Sequence, residues 1–452
     1  MRALLLCFGG QVLGQAKARL PISMPNVKGT CASACVVTRL PPAYHAANTY
    51  LFGVSFMHSK PVLTRGLLAF MAVGSGISVA SLYYVQPLLE LLAREYGLSD
   101  TKAGLLVTVA QLGYLAGLIV VVPLGDHHER RKLLTVTSAL TALGLLAMGL
   151  SHSFLMLVIF SIMVGISCVT AQILVPLAAH LATDDKRGSA VGTVMSGLLL
   201  GILLARTFSG VVAELAGWRA VFIVAAVLMA GYSVACFKIL PHLAPTSNTS
   251  YRTLYVSILH LFRDEAVLRR RSLIGGLQYG VFGIFWTAMA FMLSRQYDMS
   301  EAMIGMFGLI GAIGILAARI AGRLADRGWA RLSTGGFLTV TVSSWALLYW
   351  GQWSLVAFGL GVVLLDLGIQ GAHISNQSEI YRLNPEARSR LTTGYMASYF
   401  LGGACGSASA AVSYGMGGWP AIVALGSGVS ILCVVIWAAT EFRLPVREMK
   451  QK

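Results

Sequence analysis

Residues 272–294 read SLIGGLQYGVFGIFWTAMAFMLS, without a single charge. A hydrophobic segment of about 20 residues can cross a bilayer as a helix. Residues 66–89 and 154–179 are equally free of charge, and working outward from these three gives twelve such segments between Gly66 and Thr440, each with at most one charge. Composition agrees with that reading. The 452 residues are 56% hydrophobic and only 12% charged, whereas a soluble domain carries about 25% charged residues. The expected fold class is an all-α membrane protein with twelve transmembrane helices, which excludes an ordinary soluble enzyme.

The net charge of +16 arises from 34 Lys and Arg against 18 Asp and Glu. In a soluble protein that excess would suggest nucleic acid, but its placement points elsewhere. With a cytoplasmic N-terminus, the loops after even-numbered spans and the C-terminal tail hold 21 Lys and Arg, from Arg130, Arg131 and Lys132 to Arg447, Lys450 and Lys452. The opposite side holds four: Arg94, Lys102, Arg219 and Arg295. A positive-inside bias of that size places both termini in the cytoplasm and the chain in the cell's inner (plasma) membrane, with the lipid bilayer and no nucleic acid as partner.

Seven cysteines are too few and too scattered for a disulfide framework; Cys168, Cys236, Cys405 and Cys433 fall inside apolar spans as small packing residues. Cys31 and Cys35 have no His or acid beside them, so no metal site is expected. Residues 1–60 hold no acidic residue, are broken by Pro21, Pro25, Pro41 and Pro42, and contain no crossing segment. They read as a disordered extension, with Met57 a candidate working start. The remaining boundaries are a first six-helix half over 61–238, a linker over 239–271, a second half over 272–441 and a tail over 442–452.

The two halves are related by an internal repeat. Ser99-Asp100 with Gly104 recurs as Ser300-Glu301 with Gly305, an offset of 201; Asp126 recurs as Asp326; Gly217-Trp218 recurs as Gly418-Trp419. Gln172, Met195 and Gly201 fall opposite His373, Met396 and Gly402. Six spans per repeat is an even number, so both copies share one orientation about an axis along the membrane normal. Ser99 and Ser300 are placed as N-caps, with Asp100 and Glu301 where a helix dipole favours an anion.

After span 2 the chain reads Pro123-Leu124-Gly125-Asp126-His127-His128-Glu129-Arg130-Arg131-Lys132, and after span 8 Gly322-Arg323-Leu324-Ala325-Asp326-Arg327-Gly328. Both resemble the signature loop of the major facilitator superfamily. The second copy matches in Gly322, Asp326 and Arg327. The first matches in Asp126, Arg130 and Arg131, with Val122, His127 and Glu129 at the other signature positions. The resemblance covers roughly residues 60–445. It implies alternating access and a cytoplasmic gate in which the Asp meets a helix N-terminus of the other half and the basic residues pair across it. An antiporter-type span 5 signature matches only in Gly197 and Gly201; Ile202 and Ala205-Arg206 replace its Pro and closing Gly pair. Small residues at that spacing are equally read as close helix packing.

An ionisable residue within a span costs about 2.5–3.5 kcal/mol on insertion scales. Arg206, Arg319 and Asp366 qualify, and Arg319 is near enough to an end to snorkel. Asp366, Gln370, His373 and Gln377 recur at i, i+4, i+7 and i+11, one helix face, with Asn376 adjoining. The resemblance implies a pathway lined by spans 1, 4, 7 and 10, which here supply Tyr83, Tyr84, Gln86, Gln172, Gln278, Tyr279 and Trp286. Asp366 is read either as a proton-coupling group, with His373 and Arg206 as further candidates, or as half of a structural pair with Arg206. No phosphate-binding or hydrolytic motif is present, so no cofactor is expected and the energy source is a gradient. The expected protein is not an enzyme but a monomeric exporter of a small organic substrate in exchange for protons. Alternatives are an importer or facilitator of the same fold, or a non-transporting sensor.

Overall fold

The computed structural model describes residues 63–183, 186–242, 251–311, 320–324, 327–383 and 387–441, apart from the side chains of Asp126, Tyr251, Arg252, Leu254, Arg388 and Ser389. The 1–60 extension, the 442–452 tail, Arg319 and Asp326 lie outside the described residues. Among the described residues every regular element is helical. The longer helices are α1 Arg65–Ala80, α2 Leu89–Tyr96, α3 Asp100–Val120, α4 Leu124–His127, α5 Arg130–Gly149, α6 Phe154–Ser167, α7 Thr170–Leu181, α8 Arg187–Ala216 and α9 Trp218–Ile239. After them come α10 Tyr251–Asp264, α11 Ala266–Tyr297, α12 Glu301–Ile310, α13 Ala330–Trp350, α14 Leu355–Tyr381 and α15 Arg388–Glu441. Among the described residues eight helical stretches are long and apolar enough to cross a membrane, with α6 and α7 taken as one.

Local chemistry sets where these helices start and break. Ser99 Oγ accepts from the Lys102 amide at 3.4 Å and Ser300 Oγ from the Met303 amide at 3.5 Å, so both expected N-caps form. α15 is really two helices, since Gly417 and Gly418 leave helical geometry inside it. Gly418 (φ 59°) and its repeat counterpart Gly217 (φ 82°) both lie in the left-handed region that only glycine enters cheaply. Two expectations shift. Helix α10 occupies the middle of the 239–271 linker, and α11 starts at Ala266, carrying Arg269–Arg271 into a helix.

The repeat is visible in the packing. A Cβ on Gly201 would collide with the Gly76 backbone, joining α8 to α1; one on Gly402 would collide with Gly276, joining α15 to α11. Gly197 closes on Ala72 in the same way. Close helix contact without side chains is what small residues supply in a membrane, and it accounts for Gly197 and Gly201 directly. Central to the second repeat is α11, buried along nearly its whole length.

Candidate functional site

The two repeats meet through small and hydroxylated residues near one end of the bundle. Thr108 Oγ1 lies 3.3 Å from Ser407 Oγ, and Thr207 Oγ1 donates to the Gly305 carbonyl at 3.1 Å. Over this contact sits an ionic fork. Arg295 of α11 donates to Glu90 Oε2 at 2.8 Å through Nη2 and to Asp100 Oδ2 at 2.9 Å through Nη1, joining the second repeat to the first. Arg94 holds the other Glu90 oxygen at 2.9 Å. Arg94 and Arg295 are themselves separated by 201 residues, so two repeat-related arginines grip one carboxylate. Sequence reading placed both only as sparse charges and gave Asp100 only a dipole role; the 201 offset was the signal that could have paired them.

Deeper in the bundle lies a cluster built from both repeats. Arg206 of α8 is 3% exposed and donates through Nε to Gln86 Oε1 at 2.8 Å. Its guanidinium lies 3.7 Å from the centre of the Trp286 ring, with Tyr83 at 5.0 Å and Phe282 at 5.5 Å. Trp286 Nε1 in turn donates to Asp366 Oδ1 at 3.4 Å, and Asp366 is 5% exposed. Arg206 and Asp366 therefore form no direct ion pair: an indole stands between a cation of the first repeat and an anion of the second. A guanidinium over an aromatic face is favourable by about 2 kcal/mol or more when desolvated, which offsets part of the cost of burying it.

An aromatic ladder runs from this cluster toward the basic end of the bundle. The hydroxyls of Tyr83 and Tyr279 are 2.9 Å apart across the repeats. Tyr279 stacks on Tyr399 at 4.1 Å, Tyr399 meets His373 at 4.5 Å, and His373 Nδ1 lies 3.0 Å from the Tyr395 hydroxyl. His373 is seven residues from Asp366, a rise of about 10 Å, so the shared face does not bring the two into contact. Gln172 donates to the Tyr114 hydroxyl at 3.2 Å. Gln172, Gln370, His373 and Gln377 are half-buried, whereas Gln86, Tyr83, Tyr279, Trp286 and Asp366 are buried.

Other expected lining residues point away from the cluster. Gln278 Oε1 faces Thr341 Oγ1 of α13 at 3.5 Å, within the second repeat. Tyr84 packs on Phe208. Asn376 Oδ1 accepts from Arg271 Nη1 at 3.1 Å. Arg271 corrects the linker reading, because it is fully buried, bonded to Thr334 at 2.8 Å and ion-paired with Glu441 at 3.4 Å. Its neighbours in sequence, Arg269 and Arg270, disguised it as one more loop charge.

At the loops that carry the family signature, Arg131 pairs with Glu129 of its own repeat at 3.2 Å and lies over Phe237, rather than reaching across. Glu129 also meets Lys132 and His242. In the second repeat Arg331, 200 residues after Arg131, pairs with Glu441 at 3.3 Å. Arg130 donates to the Gly125 carbonyl at 3.1 Å, Arg327 is exposed, and a Cβ on Gly322 would meet open space. The gate roles of the Asp126 side chain and of Asp326 fall outside the described residues.

Comparison with known proteins supplies the family. The model of the Major Facilitator Superfamily matches residues 68–381. A putative uncharacterized transporter of Escherichia coli strain K12, YgaY, is 46% identical over 83% of this chain and 95% of its own. A protein of Pasteurella multocida named a probable sugar efflux transporter is 25% identical over 70% of this chain and 77% of its own. Among solved structures, a bacterial homologue of the human lysosomal transporter Spinster superposes with a TM-score of 0.69 at 13% identity, covering 83% of this chain and 96% of that one. A multi-pass membrane chain with this helical repeat, this family match and a transporter relative at that identity belongs to the major facilitator superfamily.

Proposed function

We propose that the protein is a monomeric secondary active exporter in the inner membrane, with both termini cytoplasmic, moving a small organic molecule outward in exchange for protons by alternating access. The observation that supports this reading is the split cluster. Asp366 and Arg206 belong to different repeats and flank one indole, so the charge balance at Asp366 depends on how the repeats sit.

The proposed cycle follows from that dependence. In the described state the Arg295 fork and the contacts around Ser407 close the end that the charge bias assigns to the outside. The half-buried Gln172, Gln370, His373 and Gln377 lie toward the other end, which suits a site reached from the cytoplasm. With Arg206 beside Trp286, the carboxylate has a balancing charge. When the repeats rock and the outer end opens, Arg206 moves off, and an uncompensated anion within a span costs about 2.5–3.5 kcal/mol. Uptake of a proton from the outer side removes that cost. On return to the inward state Arg206 re-forms its stack, the proton leaves to the cytoplasm and substrate enters. One carboxylate serving both half-cycles is what makes the exchange obligatory. The Pasteurella multocida relative named for efflux supports the outward direction.

The test is efflux across a panel of fluorescent and radiolabelled compounds in cells with and without the protein, with the proton gradient intact or collapsed. Gradient-dependent exclusion of at least one compound class is expected. Accumulation raised by the protein would establish an importer instead and overturn the export direction.

A further inference from the structure

The cluster around Trp286 leaves two charged groups under-used. Arg206 Nη2 is buried and has no hydrogen-bond partner among the described residues, although Nε of the same guanidinium is bonded to Gln86. Leaving a charged donor unmade in the interior is costly, about 1–3 kcal/mol or more. Among the described residues Asp366 accepts only one long bond, from Trp286 at 3.4 Å, while a carboxylate has about four acceptor positions.

Both groups lie against one stripe of α12. A Cβ on Gly308 would meet Arg206 Cβ at 2.9 Å, and a Cβ on Gly311 would meet Asp366 Oδ2 at 2.7 Å. Three residues on a helix rise about 4.5 Å. The aliphatic stem of an arginine from one repeat and the carboxylate of the other thus pack on neighbouring glycines, and the guanidinium that the stem carries lies on the Trp286 ring.

We propose that the substrate is a small zwitterion of the amino-acid type, whose carboxylate takes Arg206 Nη2, whose ammonium takes Asp366 and whose apolar or aromatic body lies along Trp286. This rests on the export reading and narrows it. A lone anion would meet Asp366 and a lone cation would meet Arg206; a neutral polyol would offer neither group a charged partner. A zwitterion balances each in turn. Its ammonium and the transported proton also compete for the same carboxylate: as the ammonium arrives, the Asp366 O–H bond breaks and the proton passes to water on the cytoplasmic side.

The experiment measures binding to the purified full chain by quenching of tryptophan fluorescence. The probes are L-phenylalanine, N-acetyl-L-phenylalanine and L-phenylalanine methyl ester. A hydrogen bond to a charged group corresponds to about ten- to a hundredfold in affinity, so the amino acid is expected to bind at least about tenfold more tightly than either derivative. Arg206→Gln should erase the preference over the ester and keep that over the N-acetyl compound; Asp366→Asn should do the converse. If Arg206→Gln does not fold, Arg206→Lys keeps the charge, loses the fork and should show the same change at smaller size. Equal affinity for all three probes, or preferences indifferent to both substitutions, would overturn the proposal. So would absence of phenylalanine binding in a protein that still expels an unrelated dye on a proton gradient, a result that leaves the export reading standing. The expected binding pattern in a protein that moves no probe on any gradient would support this site and sink export.

Discussion

Arg295→Gln should loosen the end of the bundle that the fork closes. The guanidinium reaches Glu90 at 2.8 Å and Asp100 at 2.9 Å, and both carboxylates belong to the other repeat. Glu90 is 8% exposed, so its arm counts as a desolvated charge-assisted bond of about 1.5 kcal/mol. The Asp100 arm is discounted to about 0.5 kcal/mol, because Arg295 is 41% exposed and surface pairs are worth about 0–1 kcal/mol. The sum, about 2 kcal/mol, corresponds to roughly a thirtyfold shift between closed and open populations. The assay places a cysteine at Ser294, half-buried beside Arg94, in an otherwise cysteine-free protein, and follows reaction with a membrane-impermeant maleimide. The substitution should raise the labelling rate by about ten- to thirtyfold over the Ser294→Cys protein alone. An unchanged rate at normal expression would show that the fork is an incidental surface pair.

Three further outcomes follow from single contacts. Trp286→Phe keeps a ring beside Arg206 but removes the indole hydrogen bond to Asp366, a loss of about 1 kcal/mol; export in vesicles should slow about fivefold with protein yield unchanged. Gly402→Ala should sharply reduce monodisperse protein on size-exclusion chromatography, because its Cβ would collide with the Gly276 backbone, whereas Gly188→Ala, where nothing lies within 4 Å, should not. Glu95, outside the spans, is pushed up by burial but held below its ordinary range by hydrogen bonds from Arg219 at 2.7 Å and Trp218 at 2.5 Å. A lowered value means this stabilisation is complete above the unfolded value of about 4.3 and is lost as pH falls through the folded one; melting curves between pH 3 and 7 should show an acid-side loss that Glu95→Gln lacks.

Hydrophobic length and repeat spacing made the fold legible, because each is a property of consecutive residues. The caps at Ser99 and Ser300, the breaks at Gly217 and Gly418, and the close approaches of Gly201 and Gly402 all sit where the 201 offset placed them. The site was legible only in part. Periodicity put Asp366 and His373 on one face, two turns apart, but could not tell that His373 joins Tyr395 and Tyr399. Arg206 and Asp366 stood out as charges at membrane depth, yet only the structure inserts Trp286 between them. Arg271 and Glu90 escaped notice because each sits at the edge of an apolar segment, where sequence does not distinguish a buried charge from a solvated one.

The central claim, that Asp366 couples substrate to protons, is tested most directly in proteoliposomes by comparing gradient-driven export with substrate exchange in the wild-type and Asp366→Asn proteins. A neutral amide cannot cycle a proton but can still hydrogen-bond the substrate. Asp366→Asn is expected to abolish accumulation driven by an imposed pH gradient while exchange of labelled for unlabelled substrate persists. Gradient-driven export at wild-type rate in Asp366→Asn would contradict it and move the proton to another group, with His373 next to be tested.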